Sequence, residues 1–342
     1  MLRALDLFSG IGGITYGLRG IVTPVAYVEK DPDARDFLRK KHPDTPVFDD
    51  VCTFDATPLK DEIDIITAGW PCTGFSTAGK GDGFKHHASG LFTQVVRIAK
   101  ECVPKYLFLE NSFILSKIDN LKLIVKSFDD IGYDCRWLTC RATNVGALHQ
   151  RHRWFCLVSK KDSGINIDIP RVDPFDWNNN EPNRQVQKNT PENTRICKWL
   201  GNAVVPDQVR FALMTLLSMD TTTLRKTTNN TKTGFSKDGI LYYTPISMTE
   251  RPPLNIILRQ GELPKTHNAS TPLYDTMVKK YWSTPVFTQV PRGSTVLTSR
   301  CSKMLGTQVK FCNEGNPGWY LHCVWITWLM GYPADYFNHT SL

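Results

Sequence analysis

Through the first 160 residues, short apolar runs alternate with stretches whose apolar positions recur at helical spacing. That pattern predicts a mostly parallel sheet covered by helices. Residues 2–8 read as a strand, and Ser9-Gly10-Ile11-Gly12-Gly13 as a turn opening a short helix around 14–18. Residues 22–28 predict a second strand, and 31–41 a helix with Asp31 as N-cap and Pro32 at its first position. A buried strand over 63–67 runs into Gly69-Trp70-Pro71-Cys72. Further helices are expected over 91–102 and 114–128, and further strands over 106–109, 133–140 and 154–159.

Beyond Lys161 the periodicity fades. Residues 176–194 are polar and interrupted by proline, which predicts a surface loop, and 208–219 have a helical pattern. Residues 221–234, rich in Thr, Asn and Lys, read as a linker. The chain is therefore expected to divide into a cofactor-binding and catalytic domain over 1–220 with a loop at 165–195, a linker over 221–234, and a recognition region over 235–342.

Charge sharpens this division. The net charge of the 342 residues is +8. Residues 1–220 hold 28 basic against 27 acidic groups, whereas 221–342 hold 13 against 6, so the excess sits in the last third. A basic, aromatic-rich region suits phosphates, because neutralising them releases counterions. No apolar run is long enough to span a membrane, and Asp6 interrupts the stretch a signal peptide would need. The ten cysteines show no C-x-x-C pair, so reduced thiols in a cytoplasmic setting are expected, without a metal.

Four segments carry candidate chemistry. Asp6-Leu7-Phe8-Ser9-Gly10-Ile11-Gly12-Gly13 ends a strand and opens a helix, and Glu29 ends the next strand, where an acid can accept from ribose hydroxyls. The G-x-G-G spacing departs from G-x-G-x-x-G, which argues against a dinucleotide. Cys72, in Gly69-Trp70-Pro71-Cys72-Thr73-Gly74-Phe75-Ser76, sits on a loop after a buried strand, a place for a reactive thiol. Glu110, in Leu109-Glu110-Asn111, ends another apolar strand, where burial can raise a carboxyl pKa. In His149-Gln150-Arg151-His152-Arg153, alternation puts both arginines on one face, able to present two guanidiniums to a phosphate or base edge.

Taken together these segments resemble the DNA (cytosine-5)-methyltransferases. DLFSGIGG resembles their S-adenosylmethionine motif, GWPCTGFS their catalytic Pro-Cys loop, Leu109-Glu110-Asn111-Ser112 their Glu-Asn-Val element and Arg151-His152-Arg153 their Q-x-R-x-R strand. Gly201-Asn202-Ala203-Val204-Val205-Pro206 is similar to their Gly-Asn-Ser/Ala-Val motif, and Leu329-Met330-Gly331-Tyr332-Pro333 to their Leu-x-Gly-Phe-Pro element. The resemblance implies an α/β fold with a doubly wound, mostly parallel sheet, that of class I S-adenosylmethionine-dependent methyltransferases, with a smaller irregular target recognition domain.

It also implies roles. Cys72 attacks carbon 6 of a flipped-out cytosine in double-stranded DNA, Glu110 holds N3 and the exocyclic amine, and Arg153 binds the O2 side with Arg151 supporting the loop and nearby phosphates. S-adenosyl-L-methionine delivers its methyl to carbon 5 and leaves as S-adenosyl-L-homocysteine. Its site is expected from Gly10, Gly12 and Gly13, with Phe8 against adenine, Glu29 on the ribose, Asp50 at the adenine amine, and Pro71, Leu91, Asn202 and Ala203 lining the rest. A monomer is expected, and a cognate restriction endonuclease is a partner such enzymes can have. One branch of the family acts on transfer RNA, and the basic C-terminal third favours DNA over that substrate. Intact Cys72 and Glu110 favour an active enzyme over a relative that only binds DNA.

The chain departs from the family pattern at Thr73 (usually Gln), Ser112 (usually Val) and His149 (usually Gln), and in order: its Gly-Asn motif precedes the basic third. A partial permutation accounts for that order, since surface connections tolerate rewiring.

Overall fold

The expected alternation of apolar runs and amphipathic stretches folds into one sheet with helices on both faces. A computed structural model describes residues 1–71, 90–177, 181–182, 186–188, 190–244 and 319–338. Nine strands stand in the order β10-β9-β6-β7-β5-β4-β1-β2-β3. In chain order they are β1 (Leu2–Leu7), β2 (Val22–Val28), β3 (Val47–Phe48), β4 (Ile65–Ala68), β5 (Tyr106–Ser112), β6 (Tyr133–Arg141), β7 (His152–Lys160), β9 (Thr233–Lys237) and β10 (Ile240–Tyr243). Two short strands, β8 (Val186–Lys188) and β11 (Trp319–Leu321), pair antiparallel elsewhere.

The first five strands are parallel; β7 runs antiparallel to both β5 and β6. Because helices cover both faces, the central strands have no polar side to show: Leu107, Phe108 and Leu109 are all fully buried. One face packs against α1 (Gly13–Gly17), α2 (Pro32–Lys41), α5 (Pro191–Asn202), α6 (Pro206–Leu217) and α7 (Cys323–Leu329). The other packs against α3 (Leu91–Cys102) and α4 (Ile118–Asp129). Asp31 caps α2 as expected, its Oδ1 accepting from the N–H groups of Asp33 and Ala34 at 3.0 and 3.2 Å. The strand order turns back between β1 and β4, and it is beside the carboxyl ends of strands at such a switch point that open α/β sheets bind ligands.

Two expectations change. The loop read over 176–194 gives way at its end to α5, because Thr190 caps that helix, accepting from Asn193 N–H at 3.0 Å, and Pro191 suits its first turn. The division of the chain at 234/235 falls inside β9, which pairs with β6 and extends the sheet. The hairpin β9–β10 turns on Asp238 and Gly239, both at positive φ (50° and 72°), the conformation a two-residue hairpin favours. It covers the open edge that β6 would otherwise expose.

The end of the chain returns to the first body. Tyr332 and Tyr336 are buried; Tyr336 donates its hydroxyl to Ile11 O at 2.8 Å, and Tyr332 to Val204 O at 2.9 Å. Gly13 is needed where they converge, since a Cβ there would lie 2.5 Å from the Tyr332 hydroxyl and 3.0 Å from Val204. Among the described residues no helix is long and apolar enough to cross a membrane, and no group of three or more His, Cys, Asp or Glu could hold a metal.

One buried carboxyl in this core titrates far from its usual range. Asp6, on β1, accepts from Thr67 Oγ1 at 2.5 Å while its second oxygen has no partner among the described residues, and burial pushes its pKa up to about 8. The folded state therefore keeps a proton that the unfolded chain releases near pH 4. Stability from this group is complete below that pH and is lost as the pH rises towards 8, a change on the order of a few kcal/mol. Asp6→Asn is expected to flatten the decline in denaturant midpoint between pH 5 and 8. An equally steep decline in the variant excludes Asp6 as its source.

Candidate active site

The carboxyl edge of the sheet gathers most of the residues singled out from the sequence. At the end of β1 the chain turns through Phe8, which has a positive φ of 57°, a conformation that bulky residues adopt only where surroundings enforce it. Gly10 follows with φ +54°, and among the described residues no atom lies within 4 Å of where its Cβ would be, so the turn faces open space among them. Glu29, at the end of β2, accepts from Gly10 N–H at 2.7 Å and from Asp31 N–H at 2.8 Å. Glycine turn and acid are thus one unit, and the open space is a cradle suited to a nucleoside. Asp50 accepts from Cys52 N–H at 2.9 Å and pairs with Lys30 at 3.1 Å, contacts that hold it ionised.

Glu110 ends the apolar part of β5, 9% exposed, with its Oε1 2.9 Å from Arg153 Nε. Opposite residues on paired strands share a face, and Ser112 lies across from Arg153, so β5 and β7 aim carboxyl and guanidinium at the same side. Burial pushes the Glu110 carboxyl above the usual carboxylate range, and Arg153 and then Arg151 pull it back. Gly69 leaves room for it: a Cβ there would come within 3.2 Å of Glu110 Oε2. Asn111, on the other face, donates to Trp70 O at 3.0 Å and so ties the end of β5 to the segment that leads into Pro71. Cys72 and Thr73 lie outside the described residues; Pro71 and Leu91 stand on either side of 72–89.

The paired-arginine expectation changes here. Arg153 faces Glu110, but Arg151 is only 2% exposed. It donates to Gly201 O at 3.2 Å from both Nη1 and Nη2, and from Nη2 to Ala203 O. Arg151 is therefore a clamp on the Gly-Asn loop, buried too deeply to meet a phosphate. Gln208 completes it, donating to Cys140 O and Arg151 O at 3.0 and 2.9 Å. Ala203 is held beside Arg151, while Asn202, at the end of α5, stays exposed. His149 is fully buried, and burial, followed by Arg151, lowers its pKa to about 3, so it is a neutral imidazole. The sequence marked Tyr332 only as part of the Leu-Met-Gly-Tyr-Pro segment and offered no sign of Gln208 or Tyr336 as supports, since their partners lie far away in the chain.

An α/β sheet of this strand order, with β7 reversed beside β5, defines the class I methyltransferase fold. Comparison with known proteins narrows the class. Residues 2–304 match the family described as C-5 cytosine-specific DNA methylase, and the chain belongs to that family. It is 44% identical to the Type II methyltransferase M.CviJI of Paramecium bursaria Chlorella virus IL3A, over 98% of either chain. It is 29% identical to the Type II methyltransferase M.HhaI of Haemophilus parahaemolyticus, over 52% of this chain and 54% of that one. Among solved structures, the Dnmt2 methyltransferase of S. pombe is similar with a TM-score of 0.41 and 21% identity, over 48% of this chain and 53% of that one.

The clamp generates a prediction. Arg151→Met leaves two buried carbonyls without their donor, so a stability loss of about 2–4 kcal/mol is expected by denaturant unfolding. Full stability in the variant rules out the clamp.

Proposed function

We propose that the chain methylates cytosine at carbon 5 in a short specific site of double-stranded DNA, with S-adenosyl-L-methionine as methyl donor. The observation that carries this reading is the Glu110–Arg153 pair, set beside the Trp70–Asn111 tie at the threshold of Cys72. A raised pKa lets Glu110 carry the proton that N3 of cytosine needs when electrons move onto the ring, and Arg153 orients the carboxyl and meets the O2 side. The Cys72 thiolate forms a bond to carbon 6, which makes carbon 5 nucleophilic. S-adenosyl-L-methionine supplies an electrophilic methyl group. Carbon 5 takes that methyl and then gives up its proton, and the bond from carbon 6 to sulfur breaks. The cytosine is turned out of the duplex for this, since its ring atoms are out of reach within the stack.

Phe8, Gly10 and Glu29 take the nucleoside half of the donor, with Asp50 as acceptor for the adenine amine. Gly12 and Gly13 let the turn come close, and Pro71, Leu91, Asn202 and Ala203 line the remainder. We assign target recognition to 245–318, which holds nine basic against four acidic residues, and place both flanking segments with the catalytic body. The protein acts as a monomer in a reducing, cytoplasm-like setting, and a restriction endonuclease of the same specificity is the partner such a modification would protect against.

The chemistry is tested by incubating the full chain with duplex DNA containing 5-fluorocytosine. Fluorine cannot leave as a proton does, so an active enzyme is expected to stay covalently attached to the DNA. Cys72→Ser is expected to abolish both attachment and methyl transfer, with cofactor binding near normal. Turnover by that variant overturns the assignment.

A further inference from the structure

Phe113 leaves the end of β5 three residues after Glu110 and is 50% exposed. An isolated exposed ring is ordinary, but this one is stacked. Its centroid lies 4.8 Å from that of His152, with the two planes 6° apart. His152 opens β7 between Arg151 and Arg153, so it faces the other side of the sheet from Arg153 and stands across from Arg141 on β6. Burial, followed by the fields of Arg141, Lys232 and Arg153, lowers its pKa to about 4. The stacked pair is therefore an uncharged aromatic surface among cations.

Arg141 and Lys232 are exposed, and among the described residues neither makes an ion pair. Their backbones are nonetheless fixed. Arg141 N–H donates to Asn144 Oδ1 at 2.7 Å, and Lys232 O accepts from Thr139 N–H at 2.7 Å. Asn230, two residues before Lys232, accepts from Ile118 N–H at 2.8 Å at the start of α4. Two cations on anchored stems, without an ion-pair partner among the described residues and beside an open aromatic face, have the features of a nucleic-acid strand site: charge for phosphates, and a ring for whatever has lost its stacking partner.

We propose that Phe113, His152, Arg141 and Lys232 form a shelf for the DNA strand beside the flipped cytosine. The two cations take its phosphates, and the open face of Phe113 packs against a neighbouring base or sugar left unstacked. The inference rests on the reading of the Glu110 site as a cytosine pocket, which Arg153 joins to the shelf through its neighbour His152.

The test uses the full chain, with cofactor binding by calorimetry as the check on folding. Binding of a fluorescein-labelled duplex is measured across a salt series. For the double variant Arg141→Gln, Lys232→Gln, affinity is expected to fall about tenfold or more at low salt, and the slope of log affinity against log salt to become shallower by about two. For Phe113→Ala, methyl transfer to a paired target is expected to fall about tenfold, and to recover when the target cytosine faces an abasic site. Wild-type affinity, salt slope and turnover in both variants overturn the shelf while the wild-type chain still traps 5-fluorocytosine DNA. A wild-type chain that traps none removes the pocket reading itself, and the shelf with it.

Discussion

The arrangement depends on one buried guanidinium. Arg151 is nearly sealed from water, and a charge so placed is tolerated only when polar groups surround it. Gly201 O and Ala203 O meet that need, and in doing so they pin the loop between α5 and α6 to the start of β7. Gln208 adds a second fastening, from α6 to the carbonyls of Cys140 and Arg151. Because β7 runs beside β5, the same clamp sets the position of Arg153 against Glu110. A loop formed late in the first 220 residues thus governs a carboxyl on a central strand.

The end of the chain reinforces this from the other side. Tyr332 holds Val204 and Tyr336 holds Ile11, so the last described residues grip both the Gly-Asn loop and the glycine turn. This explains why the altered motif order is compatible with the fold. The segment carrying the basic excess is bracketed by β10 and α7, both of which are seated in the body. Such double attachment ties both ends of that segment to the body that holds the Gly-Asn loop.

Burial also sorts the acids of the crevice. Asp6 and Glu110 are both raised, Asp6 with only a Thr67 hydroxyl as partner and Glu110 opposed by two guanidiniums. At the mouth of the crevice Glu29 accepts from two backbone amides, while an amide and a lysine lower the pKa of Asp50. Burial thus raises both acids of the sheet core, and at Glu110 the guanidiniums of Arg153 and Arg151 oppose it.

By itself the sequence determined the alternating architecture, the strand ends on which Phe8, Glu29 and Glu110 sit, and the cap at Asp31, because these follow from local periodicity and from residues adjacent in the chain. The helix over Pro191–Asn202 was legible too, in Thr190-Pro191, but was obscured by the polar composition around it. The hairpin at Asp238-Gly239 had its turn signal, hidden within a Thr- and Asn-rich stretch. Only the tertiary structure decided which arginine faces the site. Alternation placed Arg151 and Arg153 on one face, and nothing local says that carbonyls fifty residues away would claim the first and leave the second for Glu110. The stack of Phe113 on His152 is of the same kind. It depends on the register between β5, β7 and β6, which the packing of the whole sheet selects.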